Sequence, residues 1–300
     1  MKQILTTALA VALTINASVF VTSCSNDSDD ALASGSFAAG DGSTVAITFS
    51  VQGDFSLTTT PITRAALTAD GKDMTDLWCL DYVDGTLQQT VHQVSTDTDF
   101  GQPTVTLALG SHHLYFVASR GTTPSLDTDD HTLSFAKVLD TFYKDYAITV
   151  TTGTSSGNRA VTLDRIVTKL KVLFTDAIPE GAATFSITPH AWHYAFDYLT
   201  GNPTATTTDQ AFTVAIPSSE IGNENVFVNM FGFSGTTEWT TDIAVNCKAS
   251  DDAVLGTATI TAAPFQRNRV TEFSGPLFTA GSGMTLSLNT AWDDSYQGTW

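Results

Sequence analysis

The residue whose type and position most clearly predict chemistry is Cys24. It follows an apolar run from Ile4 to Val21, and Lys2 supplies a positive charge ahead of that run. This arrangement is typical of a signal-peptide core. A permanent transmembrane helix needs about 20 apolar residues, and this run is interrupted by threonine, asparagine and serine. We therefore expect residues 1–23 to be a signal peptide that is removed from the mature chain.

The segment that closes the run, Val21-Thr22-Ser23-Cys24, resembles the lipobox of bacterial lipoproteins. The resemblance implies that the Cys24 thiol receives a diacylglycerol and that cleavage leaves Cys24 as the first residue. Acyl chains such as palmitate contribute about 0.8 kcal/mol for each methylene buried in the bilayer, so several chains together make a firm anchor. The alternative is an ordinary signal peptide that is cleaved nearby, in which case Cys24 has no role.

Residues 24–42 form an acidic tether that begins with Ser25-Asn26-Asp27-Ser28-Asp29-Asp30. Its start resembles the export signals that send some lipoproteins to the outer face of the outer membrane. A disordered, soluble spacer has the same composition, and that alternative stays open. In both cases the rest of the chain lies outside the cytoplasm. We expect a lipid-anchored protein of the outer membrane that is exposed at the cell surface.

The histidines and acidic clusters offer weaker candidate sites. His190 and His193 come nearest to a ligand pair, but the chain lacks the His-Glu-x-x-His spacing of zinc hydrolases, and residues three apart in a strand point to opposite faces. Asp127, Asp129 and Asp130 could supply oxygen ligands to calcium, although the glycine and distal glutamate of an EF-hand loop are missing. Whether they bind calcium is left open. Nucleophile-elbow, phosphate-loop and dinucleotide motifs are also missing, so we expect no enzyme activity, no metal and no cofactor.

Composition excludes some partners and permits large cores. The 300 residues carry a formal net charge of -18, and this repels nucleic acid, which needs a basic face for counterion release. A hydrophobic content of 42% is enough for two domains of about 100 to 200 residues each. Cys79 and Cys247 fall in different predicted domains and share the phase of apolar neighbours. We therefore expect them to be unpaired core residues.

Alternation of apolar and polar residues dominates the chain, which predicts strands with one buried face. The strand nearest the tether carries Val45, Ile47, Phe49 and Val51 on one face. Helical periodicity is nearly absent. The sequence therefore predicts an all-β fold.

Turn signals add local detail. Asp84-Gly85 lies between two alternating segments and supplies the positive φ angles of a type I′ hairpin turn. We also expect residues 103–109 to pair with residues 113–118 as a hairpin. Residues 140–145 and 164–169 are the only segments in which we expect a short helical turn.

The stretch Thr152–Asn158 lacks apolar residues and predicts a linker. We place an N-terminal β-sandwich at residues 43–157 and a C-terminal β-sandwich at residues 158–300. Short strands separated by turns, without intervening helices, favour sandwiches over a βαβ sheet.

Five segments occur in a characteristic order along the chain: the lipobox at Cys24, Pro61-Ile62-Thr63-Arg64-Ala65, Met74 to Tyr82, Arg159-Ala160-Val161, and Gln266 to Thr271. Together they resemble the fimbrillins, the lipoprotein precursors of type V pili. The segment from Leu77 to Tyr82 is most similar to that of anchoring or accessory subunits. The likeness extends over nearly the full length of the chain.

The resemblance implies two transthyretin-like β-sandwiches and assembly with other fimbrial subunits by strand addition, in which one subunit's strand completes another's open sheet. In polymerising fimbrillins an arginine-specific protease cuts beyond the first strand, and Arg64 lies at the matching place. The candidate displaceable strand would then carry Val45, Ile47, Phe49 and Val51. An anchoring subunit must instead keep Cys24 joined to its body. Whether Arg64 is cleaved, or is a loop arginine without a role, is left open.

A surface glycan-binding lipoprotein is the alternative function, because such proteins are also tandem β-sandwiches. Its tryptophans could stack on sugar rings; they are Trp78, Trp192, Trp239, Trp292 and Trp300. Trp78, however, shares its strand phase with apolar neighbours, which is typical of a core aromatic. A host or glycan ligand is not identified by the sequence.

Overall fold

The computed structural model describes residues 43–53, 65–66, 74–204, 209–279 and 284–289. The only helical element in this part of the chain is a 3₁₀ turn at Ser218–Glu220, and the all-β prediction is confirmed. No helix among the described residues is long and apolar enough to cross a membrane. The strands, in chain order, are β1 (Thr44–Gly53), β2 (Ala65–Ala66), β3 (Asp76–Val83), β4 (Thr86–Val94), β5 (Thr104–Ala108), β6 (Gly110–Ser119), β7 (Thr122–Asp127), β8 (Thr132–Lys137), β9 (Thr141–Val150), β10 (Gly157–Arg165), β11 (Val167–Phe174), β12 (Ala182–Pro189), β13 (Ala195–Asp197), β14 (Asn202–Pro203), β15 (Phe212–Ala215), β16 (Val226–Phe233), β17 (Trp239–Ala249), β18 (Val254–Phe265), β19 (Val270–Gly275) and β20 (Thr285–Asn289).

The first sandwich is one eight-stranded sheet folded over on itself. Its strand order is β2-β1-β10-β9-β6-β3-β4, and β5 also pairs with β1. β10 pairs with β9 only at Asp164↔Tyr143 and Arg165↔Phe142, so the sheet turns at that narrow seam. Apolar side chains of β1, β5 and β10 on one layer meet those of β3, β6 and β9 on the other. This contact is the core of the first sandwich.

The second sandwich packs two separate four-stranded sheets. Their strand orders are β16-β11-β19-β20 and β15-β12-β17-β18. A large apolar cluster lies between them and includes Phe174, Phe185 and Trp192. The rings of Phe174 and Phe185 are stacked with centroids 4.2 Å apart. These contacts close the second core.

A third small sheet joins the two sandwiches. β7 and β8 pair with β13 and β14 in the order β14-β13-β8-β7, so residues from both halves of the chain form one sheet. Its side chains cover the outer face of β3 and β6, where Trp78 and Tyr82 are buried. Phe233 of the second sandwich belongs to the same cluster. The described residues from Ser43 onward therefore form one compact unit.

The predicted turns had mixed outcomes. The hairpin at Asp84-Gly85 is confirmed, with φ angles of +48° and +75°. The predicted pairing of residues 103–109 with residues 113–118 is wrong, because β5 pairs with β1 while β6 lies between β3 and β9 in the opposite layer. Alternation shows which face of a strand is buried, but it does not identify the neighbouring strand.

Both predicted helical turns are also wrong. Residues 140–145 lie largely in β9, and residues 164–169 run from the end of β10 into β11. Pairing with neighbouring strands determines the conformation of such segments more than local propensity does. The chain passes from the first sandwich to the second at Ile166, between β10 and β11. How the unit divides into independently folding domains, including the boundary at residue 157, stays a prediction.

Candidate strand-exchange site

The candidate displaceable strand, β1, has hydrogen-bonding partners along both of its edges. β10 runs parallel to it from the Ile47↔Gly157 pair to the Gly53↔Leu163 pair. On the other edge, β5 pairs with its first half and β2 with its last two residues. Between those two partners, the residues from 101 to 103 supply backbone acceptors to β1 at 2.9 Å. Removing β1 would therefore open a groove with an unpaired edge on each side.

One face of β1 is buried in the first sandwich. Ile47 and Phe49 are completely buried, Val51 is 2% exposed, and Val45 packs against the same cluster. The Phe49 ring meets the edge of Phe116 at a centroid distance of 5.1 Å. Burying each of three such side chains contributes about 1.5 to 3 kcal/mol. The strand is consequently held by roughly 5 to 9 kcal/mol of side-chain burial alone, so it will not leave without a driving event.

The opposite face of β1 is polar and forms cross-strand hydrogen bonds. The hydroxyls of Thr48 and Thr104 lie 2.8 Å apart. Ser50 Oγ donates to Asn158 Oδ1 at 2.9 Å. These contacts fix the register of β1 against β5 and β10, because a slip by one residue would place polar side chains in the core.

The chain returns to β1 at β2, immediately after the predicted processing residue. Ala65 pairs with Gly53, and Ala66 pairs with Gln52. Arg64 and Cys24 themselves lie outside the described residues, so their roles in processing and lipidation stay predictions.

A buried hydrogen-bonded pair of an aspartate and a histidine lies at the end of the sandwich where β1 begins. Asp81 and His112 are 1% and 2% exposed, and His112 Nδ1 lies 2.8 Å from Asp81 Oδ1. His112 Nε2 lies 3.0 Å from the Ala108 carbonyl oxygen at the end of β5. Both ring nitrogens thus face acceptors, and both can donate at once only in the imidazolium form. The pair ties β5 to β3 and β6 without the help of β1.

A second buried pair lies at the seam between β9 and β10. Arg165 binds the Asp140 carboxylate through two hydrogen bonds. Nε donates to Oδ1 at 2.7 Å, and Nη2 donates to Oδ2 at 2.9 Å. Its guanidinium stacks over the Phe142 ring at 4.6 Å, and Nη1 donates to Asn268 Oδ1 at 3.2 Å. Bidentate pairs of this kind are among the strongest polar contacts in proteins. The pair therefore fastens the first sandwich to the β18–β19 turn of the second.

Neither buried pair was predicted from the sequence. For Asp81 a signal existed, because it shares the inward phase of Leu77 and Cys79 on β3, and a charged residue in such a position needs a buried partner. Nothing local identified His112 as that partner. The pairing depends on the contact between β3 and β6 in the folded sheet.

Cys79 and Cys247 are both unpaired and completely buried, which confirms the expectation for them. Burial raises the pKa of the Cys79 thiol far above its ordinary value, with a further contribution from the charge of Asp81. Burial raises the pKa of Cys247 to about 11. Both thiols are consequently protonated and unreactive at neutral pH.

The acidic cluster and the histidine pair serve local structure. Asp127 Oδ1 accepts the backbone N–H groups of Asp129 and Asp130, each at 3.0 Å, and so shapes the turn between β7 and β8. His190 Nδ1 lies 2.8 Å from Asp209, whereas burial lowers the pKa of His193. Within the described ranges, no group of three or more histidine, cysteine or acidic side chains is arranged to hold a metal ion. Calcium binding at the Asp127 cluster stays open.

The described tryptophans pack inside the protein. Trp78 is 3% exposed, as its strand phase predicted, and stacks on the His92 ring at 4.6 Å. Trp192 is completely buried, and its Nε1 donates to the Phe231 carbonyl at 2.9 Å. Trp239 is half-buried against Trp192 at a centroid distance of 5.7 Å. Trp292 and Trp300 lie outside the described residues. No observation on the described tryptophans favours stacking on sugar rings.

Comparisons with known proteins add a family and a shared fold. The model of a family of unknown function, DUF6562, matches residues 121–300. No curated protein matches the sequence. The matched range contains the small sheet of β7, β8, β13 and β14 and the whole second sandwich. It leaves out β1 and the buried pair of Asp81 and His112.

Solved structures from two Bacteroides species resemble this chain at low sequence identity. A protein from Bacteroides thetaiotaomicron, described as a candidate polysaccharide-binding protein (DUF1812), has a TM-score of 0.54 at 10% identity, covering 83% of this chain and 96% of that one. A candidate adhesin from the same species has a TM-score of 0.51 at 10% identity, covering 84% and 98%. A candidate adhesin from Bacteroides ovatus has a TM-score of 0.50 at 11% identity, covering 82% and 96%. At these identities the likeness shows a shared fold.

Proposed function

Since the chain belongs to DUF6562, a family of unknown function, we propose its function from its own strand arrangement: it is a cell-surface subunit of a fimbria. In this proposal it acts as an anchoring or accessory subunit with a role in adhesion, and it joins other subunits by β-strand addition. It has no catalytic activity of its own. A lipid on Cys24 holds it in the outer membrane.

The observation that carries the proposal is the position of β1. It is the first described strand, it lies between β5 and β10, and its apolar residues fill the first core. An incoming strand with the same alternation could satisfy the same backbone groups and fill the same apolar pockets. Such exchange supplies affinity without any catalytic side chain.

The buried pair of Asp81 and His112, near the start of β1, would help the groove keep its shape if β1 left the sheet. β5 has its sheet pairing with β1, so loss of β1 would leave β5 without a partner in its own layer. The His112 contact with the Ala108 carbonyl, and that of His112 with Asp81, hold the end of β5 to the opposite layer. The two edges of the groove would then stay in place until another strand enters.

The side-chain burial of β1 also bears on the class of subunit. A strand held by roughly 5 to 9 kcal/mol of burial would exchange spontaneously only very rarely. A subunit whose β1 stays covalently joined to the body, and to the lipid on Cys24, keeps this sandwich closed. We favour that arrangement, in which the chain anchors a fibre rather than forming its shaft.

The deciding experiment determines the N-terminus of this protein in purified surface fibres by mass spectrometry. We expect a lipidated Cys24 joined to the body, at the fibre base, in the wild type. Arg64→Ala should leave that N-terminus and the fibre unchanged. Arg64→Lys is the matched control, because it keeps the positive charge but removes a site for an arginine-specific protease.

Two results would contradict the anchor assignment. A protein that begins at Ala65 throughout the fibre, and that fails to assemble as Arg64→Lys, would be a polymerising subunit. Absence of the protein from every fibre would exclude the fimbrial role itself.

A further inference from the structure

A cleft with a volume of about 390 Å³ opens beside the β9–β10 seam, where residues of the second sandwich approach it. Small-molecule sites in proteins have volumes of about 300 to 1,000 Å³. The cleft is lined at its base by Phe142 and Leu163, which are buried, and around its rim by polar side chains. The rim consists of Asp164, Arg165, Thr236, Gln266, Arg267 and Asn268. All of the lining lies within residues 121–300, the range matched by the family model.

One cation at the cleft, Arg267, forms no ion pair with the described residues. Arg165 is neutralised by Asp140, with Nε and Oδ1 2.7 Å apart. Asp164 pairs with Lys144, with the two charged atoms 3.1 Å apart, and its charge also favours the charged form of Arg267 from a longer distance. Arg267 has no carboxylate within 4.0 Å among the described residues. The rim therefore carries a surplus positive charge in a chain whose formal net charge is -18.

Arg267 donates hydrogen bonds to two carbonyl oxygens, and its other N–H groups can donate to a ligand. Its Nε donates to the Ser234 carbonyl at 2.9 Å, and its Nη2 donates to the Gly201 carbonyl. A guanidinium has five N–H donors, so three remain without a partner in the described part of the chain. Burial lowers the pKa of Arg267 below its ordinary value, because desolvation penalises the charged form. An anion beside it would offset that penalty.

The other rim residues are suited to hydroxyl groups. Thr236 and Asn268 are exposed, and Gln266 is half-exposed. Gln266 Nε2 donates to the Thr236 carbonyl and Asn268 Oδ1 accepts from Arg165, so the groups that remain for a ligand are the Thr236 hydroxyl, Gln266 Oε1 and the Asn268 amide N–H groups. Amide and hydroxyl side chains both donate and accept hydrogen bonds, as sugar hydroxyls do. Arginine pairs with a carboxylate in a planar, bidentate geometry. Together these groups combine one carboxylate partner with several hydroxyl partners.

We propose that this cleft is a binding site for a carboxylated saccharide, such as a hexuronic acid unit of a surface or host polysaccharide. Arg267 binds the carboxylate, and Thr236, Gln266 and Asn268 bind ring hydroxyls. The contact uses arginine and amide groups rather than tryptophan stacking. The site is separate from β1, so it does not depend on strand addition.

The test is a titration of the purified mature chain with galacturonate, followed by calorimetry. Saturable binding is expected for galacturonate and not for galactose or acetate at the same concentrations. Asn268→Asp is the decisive variant. Its carboxylate can still accept from Arg165, its backbone φ of +57° is one that aspartate tolerates, and its charge cancels that of Arg267. We expect it to weaken galacturonate binding about tenfold or more, the loss typical of a charged hydrogen bond.

Two matched controls separate the site from general charge effects. Asn225→Asp makes the same change at another exposed asparagine with a positive φ, +61°, outside the cleft. Arg267→Gln removes the proposed carboxylate partner and should abolish galacturonate binding. Arg269→Gln is its control, because Arg269 is exposed and does not line the cleft. Both controls should bind galacturonate as the wild type does, and Asn268→Asp should keep the melting temperature of the wild type.

Five outcomes would contradict the proposal. Three of them are the absence of saturable galacturonate binding by the wild type, unchanged binding by Asn268→Asp, and equal binding of galactose. If acetate bound as tightly as galacturonate, the site would recognise a carboxylate alone and the saccharide assignment would be wrong. Tighter binding of galactose 6-sulfate than of galacturonate would also contradict the carboxylate assignment.

Discussion

The two sandwiches stabilise their interiors in different ways. The first contains the buried pair of Asp81 and His112 at one end of its core, close to the start of β1. The second fills its interior with aromatic and aliphatic side chains, in which Trp192 meets the edge of Phe265 at a centroid distance of 4.9 Å. Both sandwiches have apolar cores, and the difference is that the first adds a buried polar pair at one end of its core.

This difference matches the roles that we propose for the two regions. The first sandwich must keep its shape around the β1 position, which its own strand fills in the anchor that we favour and a foreign strand would fill in a polymerising subunit. Directional hydrogen bonds can hold the remaining strands in either case. The proposed saccharide cleft has no such requirement, and both sandwiches contribute residues to it. The family model matches only from residue 121 onward, so the cleft lies inside the matched range and β1 lies outside it.

The largest expected effect is on the buried pair. Asp81→Ala leaves the His112 imidazole without its charged partner in the core, and breaking a buried pair in this way typically costs about 3 to 5 kcal/mol. Urea denaturation should show this loss in the free energy of unfolding. Asp145→Ala is the matched control, because Asp145 pairs with the neighbouring His113 at 3.0 Å on the surface. Exposed pairs contribute about 0 to 1 kcal/mol. Equal losses in the two variants would show that the buried pair has no special role.

A smaller effect is expected for overpacking in the second sandwich. A methyl group added at Gly232 would overlap the Trp192 indole. Gly232→Ala should therefore lower the free energy of unfolding by about 1 to 3 kcal/mol. Gly235→Ala is the control, because its new methyl group would find no atom closer than 4.0 Å. Thermal melting of both variants would measure the difference, and a stable Gly232→Ala protein would contradict tight packing around Trp192.

The smallest expected effect is on the reactivity of two buried thiols. Cys79 lies in the first core and Cys247 in the second. At pH 8 the native protein should react with iodoacetamide far more slowly than the urea-unfolded protein, because burial raises the pKa of both thiols. As the pH rises past about 9, unfolded thiols ionise while native thiols keep their protons, so the free energy of unfolding falls with pH. Cys247, with a pKa raised to about 11, should react before Cys79. Rapid labelling of Cys79 in the native state would show that the first core opens readily.

The sequence by itself determined which apolar residues of the alternating strands lie inside. Alternation along β1 predicted the burial of Ile47, Phe49 and Val51, and the phase of β3 predicted that of Trp78 and Cys79. The turn at Asp84-Gly85 was equally predictable, because positive φ angles are a local property of those residue types. These features depend on side-chain chemistry and on neighbours in the chain, so the sequence is sufficient for them.

Only the tertiary structure decided which strands meet. β1 pairs with β10, which is distant in sequence, and the segment predicted to pair with β6 pairs with β1 instead. The same distant pairings bring Asp140 to Arg165 and place Arg267 beside the seam. The physical reason is that backbone hydrogen bonds between strands are chemically alike for every sequence. The choice of partner therefore depends on how whole apolar faces fit together in three dimensions.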